Sequence, residues 1–304
     1  MTRGLTRGLG LLLGFLADLV LGDPRRGHPV AGFGSAAAAL ERRSWRDDRR
    51  AGAAHVAVLV GGAAVLGVLV ERGRGPFPRS VVTGAAAWAV LGGTSLDREG
   101  AAIQRLLEDG RLDDARLRLT HLVGRDTSRL SESEVVRAAV ESLAENTSDA
   151  VVAPLVWGAV LGVPGLLAYR AANTLDAMVG HRSARYERFG WAAARLDDLL
   201  NLPGSRLTAL LAVLLGDDRA AAWRAWRRDA PGHPSPNAGP VEAAFAGALG
   251  LRLGGTNLYG DRVEHRALMG DGRAPARDDL ARARRLARRV GIAAAVVTAA
   301  ATAG

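Results

Sequence analysis

The stretch GRDTSRLSESEVVRAAVESLAENTSDAVVAP (residues 124–154) and, after an apolar run, YRAANTLDAMVGHRSARYERFGWAAARLDDLLN (residues 169–201) decide the fold of this chain. They concentrate carboxylates, amides, hydroxyls and arginines, whereas the flanking segments are rich in Ala, Leu, Val and Gly. Ser131 followed by Glu134 fits a capping box, which predicts a helix that starts there and runs to about Asn146 or slightly beyond.

Four charged residues of this predicted helix recur at i, i+4 spacing and therefore share one face: Arg137, Glu141, Glu145 and Asp149. Ser142 and Asn146 lie on the adjacent row. Such a face is either solvated, with one internal ion pair, or it binds Mg²⁺, an ion that takes carboxylate and phosphate oxygens. The apolar run 150–169 follows the acidic end of the helix directly, so Asp149 lies where water becomes scarce. This favours the metal site over a solvated face.

A second polar group follows that run and ends just before Pro203, which stops a helix. It comprises Asn173, Asp176, Asp197, Asp198 and Asn201. Asn173 and Asp176 are one helical turn apart, so polar side chains again recur at helical spacing, as in the acidic helix. Acidic and amide side chains are thus placed selectively within a chain whose formal net charge is +9.

Several motifs resemble the cobalamin biosynthesis family CobD/CbiB, the adenosylcobinamide-phosphate synthases. In chain order they are GDP and HPV within residues 22–30, GRDT (124–127), ESLAENTSDAVVAPL (141–155), YRAANTLDAMVG (169–180), LDDLLN (196–201) and SPNAG (235–239). The resemblance extends over residues 18–260, nearly the full chain. The pair ENTSD and NTLDAMVG is far more specific than any short pattern.

The resemblance implies a ligase that forms a C–N amide bond. With ATP, it joins the propionate carboxyl of adenosylcobyric acid to the amine of aminopropanol or of its O-phosphate, giving adenosylcobinamide or its phosphate. Activation of a carboxylate most simply proceeds through an acyl phosphate, and phosphoryl transfer depends chiefly on positioning and charge neutralisation. The expected cosubstrate is ATP, with Mg²⁺ inferred. Other membrane enzymes of the late cobalamin pathway are the expected protein partners.

From the residues and the resemblance together we expect a catalytic set, a substrate-binding set, and metal ligands drawn from both. The catalytic set is Asp23, His28, Arg125, Asp126, Glu141, Glu145, Asn146 and Asp149. The substrate-binding set is Arg170, Asn173, Asp176, Asp197, Asp198, Asn201, Ser235 and Asn237. The metal ligands are expected to be Glu141, Glu145, Asp149 and Asp176, helped by Asp197 or Asp198.

Within these sets, Arg125 and Arg170 are expected to bind phosphate oxygens, and Asn146 and Asn173 to orient substrate. His28 is the candidate base that takes a proton from the attacking amine. All these side chains are expected to meet in one pocket around the metal ion, beside the lipid.

Composition narrows the function further. All 40 basic residues are Arg, and the chain contains no Lys and no Cys. A P-loop lysine, Schiff-base chemistry, disulfides and thiolate metal sites are therefore excluded. Nucleic acid is not an expected partner, because the arginines are scattered beside apolar runs and few aromatic residues are present to stack bases. Arginines beside hydrophobic segments are instead typical of the cytoplasmic edge of a membrane protein.

The apolar runs predict an all-α, polytopic integral membrane protein of the cell (inner) membrane, with cytoplasmic helical loops. Its first spans are expected at residues 5–21, 53–70 and 80–96. The seven arginines within residues 25–50 place that loop, and with it the active site, in the cytoplasm. Pro154 and Pro164 interrupt residues 150–169, which predicts a broken or re-entrant segment or a buried core helix.

The remaining segments complete a single membrane-embedded helical domain. Residues 1–96 are expected to form its N-terminal transmembrane helices, 97–206 a catalytic core that starts with a helix–turn–helix at 97–122, and 207–304 the C-terminal helices with the SPNAG loop. Residues 250–260 are expected to form a glycine-rich loop, and the Arg-rich residues 277–289 a helix along anionic headgroups.

Two functions of other classes fit the same residues. One is a metal-dependent phosphotransferase or hydrolase acting on a lipid phosphate, which would use the acids and arginines without an amine substrate. The other is a membrane transporter or scaffold in which intramembrane acids form an ion path. A mass measurement of the amide product separates both from the ligase.

Overall fold

The structure is a computed structural model, and it describes residues 2–23, 27–181, 183–259 and 262–302. Helices dominate, with a single antiparallel hairpin near the C-terminal end. The α-helices in chain order are α1 (Arg3–Leu21), α2 (Pro29–Ser44), α3 (Arg49–Glu71), α4 (Pro76–Val90), α5 (Gly93–Glu108), α6 (Leu112–Leu119), α7 (Glu132–Thr147), α8 (Ala153–Leu161), α9 (Val163–Leu175), α10 (Trp191–Leu215), α11 (Arg219–Asp229), α12 (Ala238–Leu249) and α13 (Asp278–Ala301). Two π-helical turns, Ser148–Val152 and Asp176–Gly180, follow α7 and α9, and the strands are β1 (Leu253–Tyr259) and β2 (Arg262–Met269).

The described residues form two compact units rather than one series of consecutive segments. Unit 1 comprises residues 1–92, 149–204 and 295–304, and unit 2 comprises residues 93–148 and 205–294. Unit 1 therefore holds α1 to α4, α8 and α9. Unit 2 holds α5 to α7, α11, α12 and the hairpin.

In unit 1, α1 and α4 pack closely because glycines on α1 leave room for the backbone of α4. A Cβ at Gly10 would clash with Thr83, and one at Gly14 would clash with Ala87. Small residues at such crossings are typical of helix pairs in membranes, where close van der Waals packing replaces the hydrophobic effect.

A break between α8 and α9 confirms the expected interruption of residues 150–169. Gly162 adopts a φ of +73°, a conformation that favours glycine, and Pro154 and Pro164 each lie in the first turn of a new helix. The guanidinium of Arg7 donates to the carbonyls of Ala159 and Val160 at 3.0 Å and thereby caps the end of α8. Whether this segment re-enters a membrane stays a prediction.

A buried apolar cluster joins α2, α3 and α9 within unit 1. It comprises Ala37, Val56, Leu175, Val179, Phe189 and Ala193. Leu175 ends α9 and Val179 lies in the second π-helical turn, so this cluster holds the junction between them, which Asn173 precedes and Asp176 follows.

Unit 2 is built around α12, which is buried along its whole length, and α7, of which 11 of 16 residues are buried. The capping box is present as predicted: Glu134 N–H donates to Ser131 Oγ, and Ser131 N–H donates to Glu134 Oε2 at 2.8 Å. The helix–turn–helix of residues 97–122 is also confirmed, since α5 and α6 are joined by a turn at Gly110 with a φ of +71°.

The all-α prediction is wrong at one place. The glycine-rich stretch expected to form a loop contains β1, which pairs with β2 and has an irregular register between Leu253 and Gly255. Gly254 and Gly255 have φ values of +82° and +99°, so the glycines shape an irregular strand rather than a loop. Residue 260 lies outside the described residues.

Three described helices are long and apolar enough to cross a membrane: α1, α3 and α10. The first two match predicted spans. The span predicted at residues 80–96 is wrong, because α4 ends at Val90 and Gly93 begins α5. The third candidate is α10, which has 25 residues. Pro203 lies inside this helix and does not stop it, and residues 207–215 form its C-terminal end.

Residues 277–289 are expected to lie along anionic headgroups, and this stays a prediction. Arg277, which precedes α13, and two arginines on α13 have acidic partners in unit 2. Arg277 pairs with Glu132, Arg284 with Asp97, and Arg282 with both Asp217 and Asp279. Part of this basic helix therefore binds acids within unit 2.

Candidate active site

A polar network in unit 1 joins residues from three separate stretches of sequence. The Tyr169 hydroxyl lies 2.6 Å from Asn201 Oδ1 and 3.0 Å from the Asp149 carbonyl oxygen. Asn201 Nδ2 donates to Asp197 Oδ2 at 2.9 Å, and Asn173 Nδ2 donates to Asp197 Oδ1 at 3.2 Å. Both oxygens of the Asp197 carboxylate are thus held by amides from different helices.

Arg170 extends this network toward Asp23. Its Nη1 donates to Asn173 Oδ1 at 3.4 Å, while its Nε is buried and has no hydrogen-bond partner. Asp23 and Asp149 both interact electrostatically with the guanidinium. One oxygen of Asp23 is likewise buried without a partner. A cation and an acid in unit 1 therefore each retain an unsatisfied polar atom.

Each of the two π-helical turns contains one predicted metal ligand. Asp149 lies in Ser148–Val152 and Asp176 opens Asp176–Gly180, and both side chains are half-buried. A Cβ at Gly180 would meet the Asp176 carboxylate, so a larger residue there would force that side chain to move. π-Helical turns are rare and frequently occur at functional sites. The i, i+4 argument consequently applies only to the residues that stay within α7.

Two further predicted residues of unit 1 have local partners. His28 caps α2, because its Nδ1 accepts a hydrogen bond from Val30 N–H at 3.2 Å. That bond occupies the lone pair of Nδ1, so a role as base requires the cap to open. Asp198 lies 3.7 Å from Arg195, one turn away on α10. The catalytic and binding roles of both stay predictions.

In unit 2, Glu141 lies at the centre of a buried ionic group. Its Oε2 lies 2.7 Å from Arg125 Nη2, and its Oε1 accepts from Gly254 N–H at 2.9 Å. Arg137 lies 3.8 Å from the same carboxylate and donates to the carbonyls of Gly254 and Thr256. Both carboxylate oxygens of Glu141 are already used, and they tie β1 to α7.

The other predicted residues near α7 are more exposed. Asp126 is exposed and accepts a hydrogen bond from Ser128 N–H at 2.9 Å, and this bond lowers the pKa of its carboxyl. Asn146 is half-buried and donates to the carbonyl and hydroxyl oxygens of Ser142 at 2.9 and 3.0 Å. Glu145 is exposed on α7.

The SPNAG motif forms the N-terminal cap of α12. Ser235 Oγ accepts from the N–H groups of Asn237 and Ala238 at 3.2 and 3.1 Å. The buried Asn237 Oδ1 accepts from Ser205 Oγ at 2.9 Å and from Arg206 at 2.8 Å. The motif thus anchors the start of α12 within unit 2.

Sequence reasoning missed Glu242 and His233. Glu242 lies on α12, only 1% exposed, with Oε2 unpartnered and Oε1 3.9 Å from His233 Nε2. Burial, followed by the nearby charges of Glu141 and Glu145, raises the pKa of Glu242 well above its usual value. A single acid in the apolar sequence VEAAFAGAL was the signal that identifies such a residue.

The predicted residues thus divide between the units. Unit 1 brings together the predicted residues Arg170, Asn173, Asp197 and Asn201, along with Tyr169. Unit 2 brings together the predicted residues Arg125 and Glu141, along with Arg137. No group of three or more His, Asp or Glu side chains is arranged to hold a metal within residues 2–23, 27–181, 183–259 and 262–302. The metal site and the single shared pocket stay predictions.

Comparison with known proteins identifies the family. The family described as CobD/Cbib protein matches residues 11–287. The chain is 54% identical over 296 residues to the cobalamin biosynthesis protein CobD of Mycobacterium tuberculosis, covering 96% of this chain and 95% of that protein. It is 46% identical over 283 residues to the CobD protein of Rhodobacter capsulatus, covering 90% of each chain, and 44% identical over 291 residues to that of Chromobacterium violaceum, covering 92% of each. No solved structure matches the chain. Because the family match covers most of its length, the chain belongs to the CobD/CbiB family.

Proposed function

We propose that this protein acts in cobalamin biosynthesis as a membrane-bound, ATP-dependent ligase. It would join aminopropanol, or its O-phosphate, to the propionate of adenosylcobyric acid. The observation that carries the proposal is the 54% identity, over 96% of the chain, to a protein named cobalamin biosynthesis protein CobD. Three helices able to cross a membrane support its location in the cell membrane, with the active site on the cytoplasmic side as the arginine-rich residues 25–50 suggest.

The proposed reaction has two balanced steps. A carboxylate oxygen of the propionate attacks the γ-phosphorus of ATP, which forms an acyl phosphate and releases ADP. The amine nitrogen then attacks the acyl carbon, the C–O bond to phosphate breaks, and inorganic phosphate and one proton leave. Both steps need the reacting groups to be aligned and negative charge to be neutralised, rather than a covalent enzyme intermediate.

The polar network of unit 1 supports a role in alignment. Asp197 is held at both oxygens by Asn173 and Asn201, so its side chain is preorganised rather than free to rotate. In the proposal, Asn173 and Asp197 orient the amine or the propionate by hydrogen bonds. Arg170 holds Asn173 in place through Nη1, which donates to Asn173 Oδ1 at 3.4 Å.

The residues fit a metal that arrives with the nucleotide. Mg²⁺ in such sites is bound by only one or two carboxylates, with phosphate and water oxygens completing the octahedron. Asp149 and Asp176, half-buried in π-helical turns, are the proposed carboxylates, with exposed Glu145 as a third candidate. Bound Mg²⁺ would neutralise charge on the triphosphate. Glu141 fits this role less well, because Arg125 and Gly254 already occupy its oxygens.

Unit 2 contributes positioned polar groups in the proposal. Arg125, whose Nη2 donates to Glu141 Oε2 at 2.7 Å, would bind phosphate oxygens. Ser235 and Asn237 would act through the start of α12, which they cap and anchor. Asp126 and Asn146 would act from the turn before α7 and from α7 itself.

A direct assay tests the function. Purified protein in detergent is incubated with ATP, Mg²⁺, adenosylcobyric acid and aminopropanol phosphate, and the amide product is sought by mass. The expected result is one ADP for each amide molecule formed, and neither ADP nor amide when the amine is omitted. ATP consumption that is independent of the amine and rises with added lipid phosphate would instead support the phosphotransferase. The absence of any turnover with either amine would contradict the ligase.

A further inference from the structure

Unit 1 contains an apolar cavity of about 350 Å³ bounded by α2, α3, α4 and α9. This volume is within the range of small-molecule sites, roughly 300–1,000 Å³. Among the described residues that line it, Arg170 alone is charged and nearly all others are apolar. The side chains that define its walls include Phe33, Val58, Leu59, Leu66, Val90 and Leu167.

The cavity exists because small residues occupy four positions of its lining. Gly62 and Ala63 lie on α3, Ala89 on α4, and Ala171 on α9. A Cβ built on Gly62 meets no other atom within 4 Å, so this position opens onto empty space. Larger side chains at these four positions would fill part of the space.

The wall formed by α3 faces hydrocarbon if the helix crosses a membrane. This 23-residue helix is the most apolar of the three candidate spans, and only 17% of its apolar window is buried inside the protein. Val58 and Leu66, which line the cavity, are 62% and 54% exposed. The cavity is thus open on the side where lipid acyl chains would lie.

Arg170 gives this apolar space one cationic group. Its Nε is buried without a hydrogen-bond partner, so an anion that reached it would gain a charge-assisted hydrogen bond. Thr174, one turn further along α9, is the other polar residue of the lining, and its hydroxyl already donates to the Arg170 carbonyl at 2.7 Å. The complementary ligand is an anion attached to an apolar chain.

Other ligands fit the lining less well. A nucleobase or a corrin ring carries several hydrogen-bonding groups, and this lining would leave most of them unsatisfied in an apolar environment. Water needs two to four polar partners to be stable in a cavity, and apolar cavities instead take up apolar molecules. These requirements favour an acyl chain over a polar substrate.

We propose that the cavity bounded by α2, α3, α4 and α9 binds one acyl chain of an anionic membrane phospholipid, whose phosphate meets Arg170. This inference concerns lipid binding and goes beyond the proposed ligase activity. Its readout, lipid retained by the protein, is independent of turnover, so either proposal can fail without the other.

The test measures lipid retention from a membrane of defined composition. The protein is reconstituted in nanodiscs of phosphatidylcholine and phosphatidylglycerol, and bound lipids are counted by native mass spectrometry. The wild-type protein is expected to retain one phosphatidylglycerol and to prefer it severalfold over phosphatidylcholine. Both headgroups carry a phosphate, but the quaternary ammonium of choline adds a positive charge that Arg170 repels. Gly62→Leu fills the cavity and is expected to lose this lipid.

A matched control lies one residue away. Gly61 is also exposed, and a Cβ there also meets nothing within 4 Å, but it does not line the cavity. Gly61→Leu should therefore retain the lipid. Arg170→Gln should retain a lipid without the preference for the anionic headgroup. This second variant keeps the test decisive if Gly62→Leu does not fold.

Three outcomes would overturn the proposal: equal retention of both phospholipids by the wild-type protein, retention by Gly62→Leu equal to that by Gly61→Leu, or an unchanged preference in Arg170→Gln. Inorganic phosphate serves as the probe for the other source of the anion. If millimolar phosphate removes the preference for phosphatidylglycerol while a lipid stays bound, Arg170 takes free phosphate rather than a lipid headgroup, and the proposal is overturned.

Discussion

The Tyr169 hydroxyl lies 2.6 Å from Oδ1 of Asn201, and both side chains are buried in unit 1. The same hydroxyl lies 3.0 Å from the carbonyl oxygen of Asp149. One hydroxyl carries one proton, so it can donate fully to only one acceptor at a time. The contact joins α9 to α10 and fixes Asn201, which in turn holds Asp197.

Replacement of Tyr169 by Phe is expected to destabilise unit 1. The change removes the hydroxyl but keeps the buried ring, so Asn201 Oδ1 loses a donor in a site that water does not reach. Loss of one partner of a buried hydrogen bond costs about 1–3 kcal/mol. Thermal unfolding in detergent measures the loss, and the amide assay should show a lower rate because Asp197 is less well held.

Tyr186 provides a matched control in the same unit. Its hydroxyl donates to Glu41 Oε1 at 2.9 Å, outside the polar network. Tyr186→Phe should reduce stability without changing KM for either substrate. If both variants altered KM equally, the contact between Tyr169 and Asn201 would have no particular connection to the site.

Asp197→Asn is expected to reduce activity more than stability. The carboxylate accepts from two amide groups, and an amide in its place presents an N–H₂ group to at least one of those donors. We expect at least a tenfold loss of kcat/KM, about 1.4 kcal/mol. Asp47→Asn, which removes an exposed partner of Arg188 in the same unit, should leave kcat/KM unchanged. A normal rate for Asp197→Asn would remove this residue from the site.

Local signals predicted the parts of the fold that local chemistry determines. The capping box at Ser131 and Glu134 marked the start of α7 correctly, because both halves of the motif lie within four residues. Pro154 and Pro164 correctly indicated a broken segment. The grouping of Asn173, Asp197 and Asn201 was expected from their residue types, and the family resemblance supplied the reason to place them together.

Features that depend on tertiary contacts were not predictable in this way. The end of α4 at Val90 has no cap in the sequence, and Gly92 N–H instead donates to the carbonyl of Ala150, far along the chain. β1 was predicted as a glycine-rich loop because its sequence does not reveal its contacts, which are the pairing with β2 and the hydrogen bonds with Arg137 and Glu141 on α7. Glu242 lay hidden in an apolar helix, where only the folded structure shows that His233 and Glu141 are near.

Replacing Glu141, which forms a buried ion pair with Arg125, tests whether Glu141 has a structural role or binds a metal ion. Glu141→Gln leaves the buried Arg125 without its charged partner, which is expected to cost about 3–5 kcal/mol of unfolding free energy. Asp114→Asn, at an exposed pair with Arg111, should cost less than about 1 kcal/mol. Normal stability of Glu141→Gln with a raised Mg²⁺ requirement would instead support the metal-ligand prediction.

Labelling tests the re-entrant topology. α8 has 9 residues and α9 has 13, and both are shorter than the ~20 residues needed to cross a bilayer. We therefore expect residues 128 and 184, before and after this segment, to face the same side. In this cysteine-free chain, Ser128→Cys and Ala184→Cys should both react with an impermeant maleimide from the cytoplasmic side. Labelling of only one would show that the segment crosses the membrane.

Glu242 predicts a pH dependence of stability with a defined sign. Burial, then the charges of Glu141 and Glu145, raise its pKa in the folded protein above the ordinary value of 4.5. A raised carboxyl pKa contributes stability that is fully present below pH 4.5 and is lost as pH rises through the folded-state value. Asp279 shows the opposite case: burial alone would raise its pKa, but hydrogen bonds from Arg273, Ala276 N–H and Arg282 lower it overall.

The measurement compares each wild-type stability with that of a neutral variant between pH 3 and pH 9. Gln in place of Glu242 resembles the protonated acid and cannot ionise, so the advantage of the wild-type protein over Glu242→Gln should shrink as pH rises above about 5. For Asp279→Asn the advantage should stay constant at neutral pH and fall only as pH drops below the ordinary value of 3.8. If the Glu242→Gln difference were flat across this range, the carboxyl would not be held in its neutral form, and the ionic group around Glu141 would have to compensate its charge.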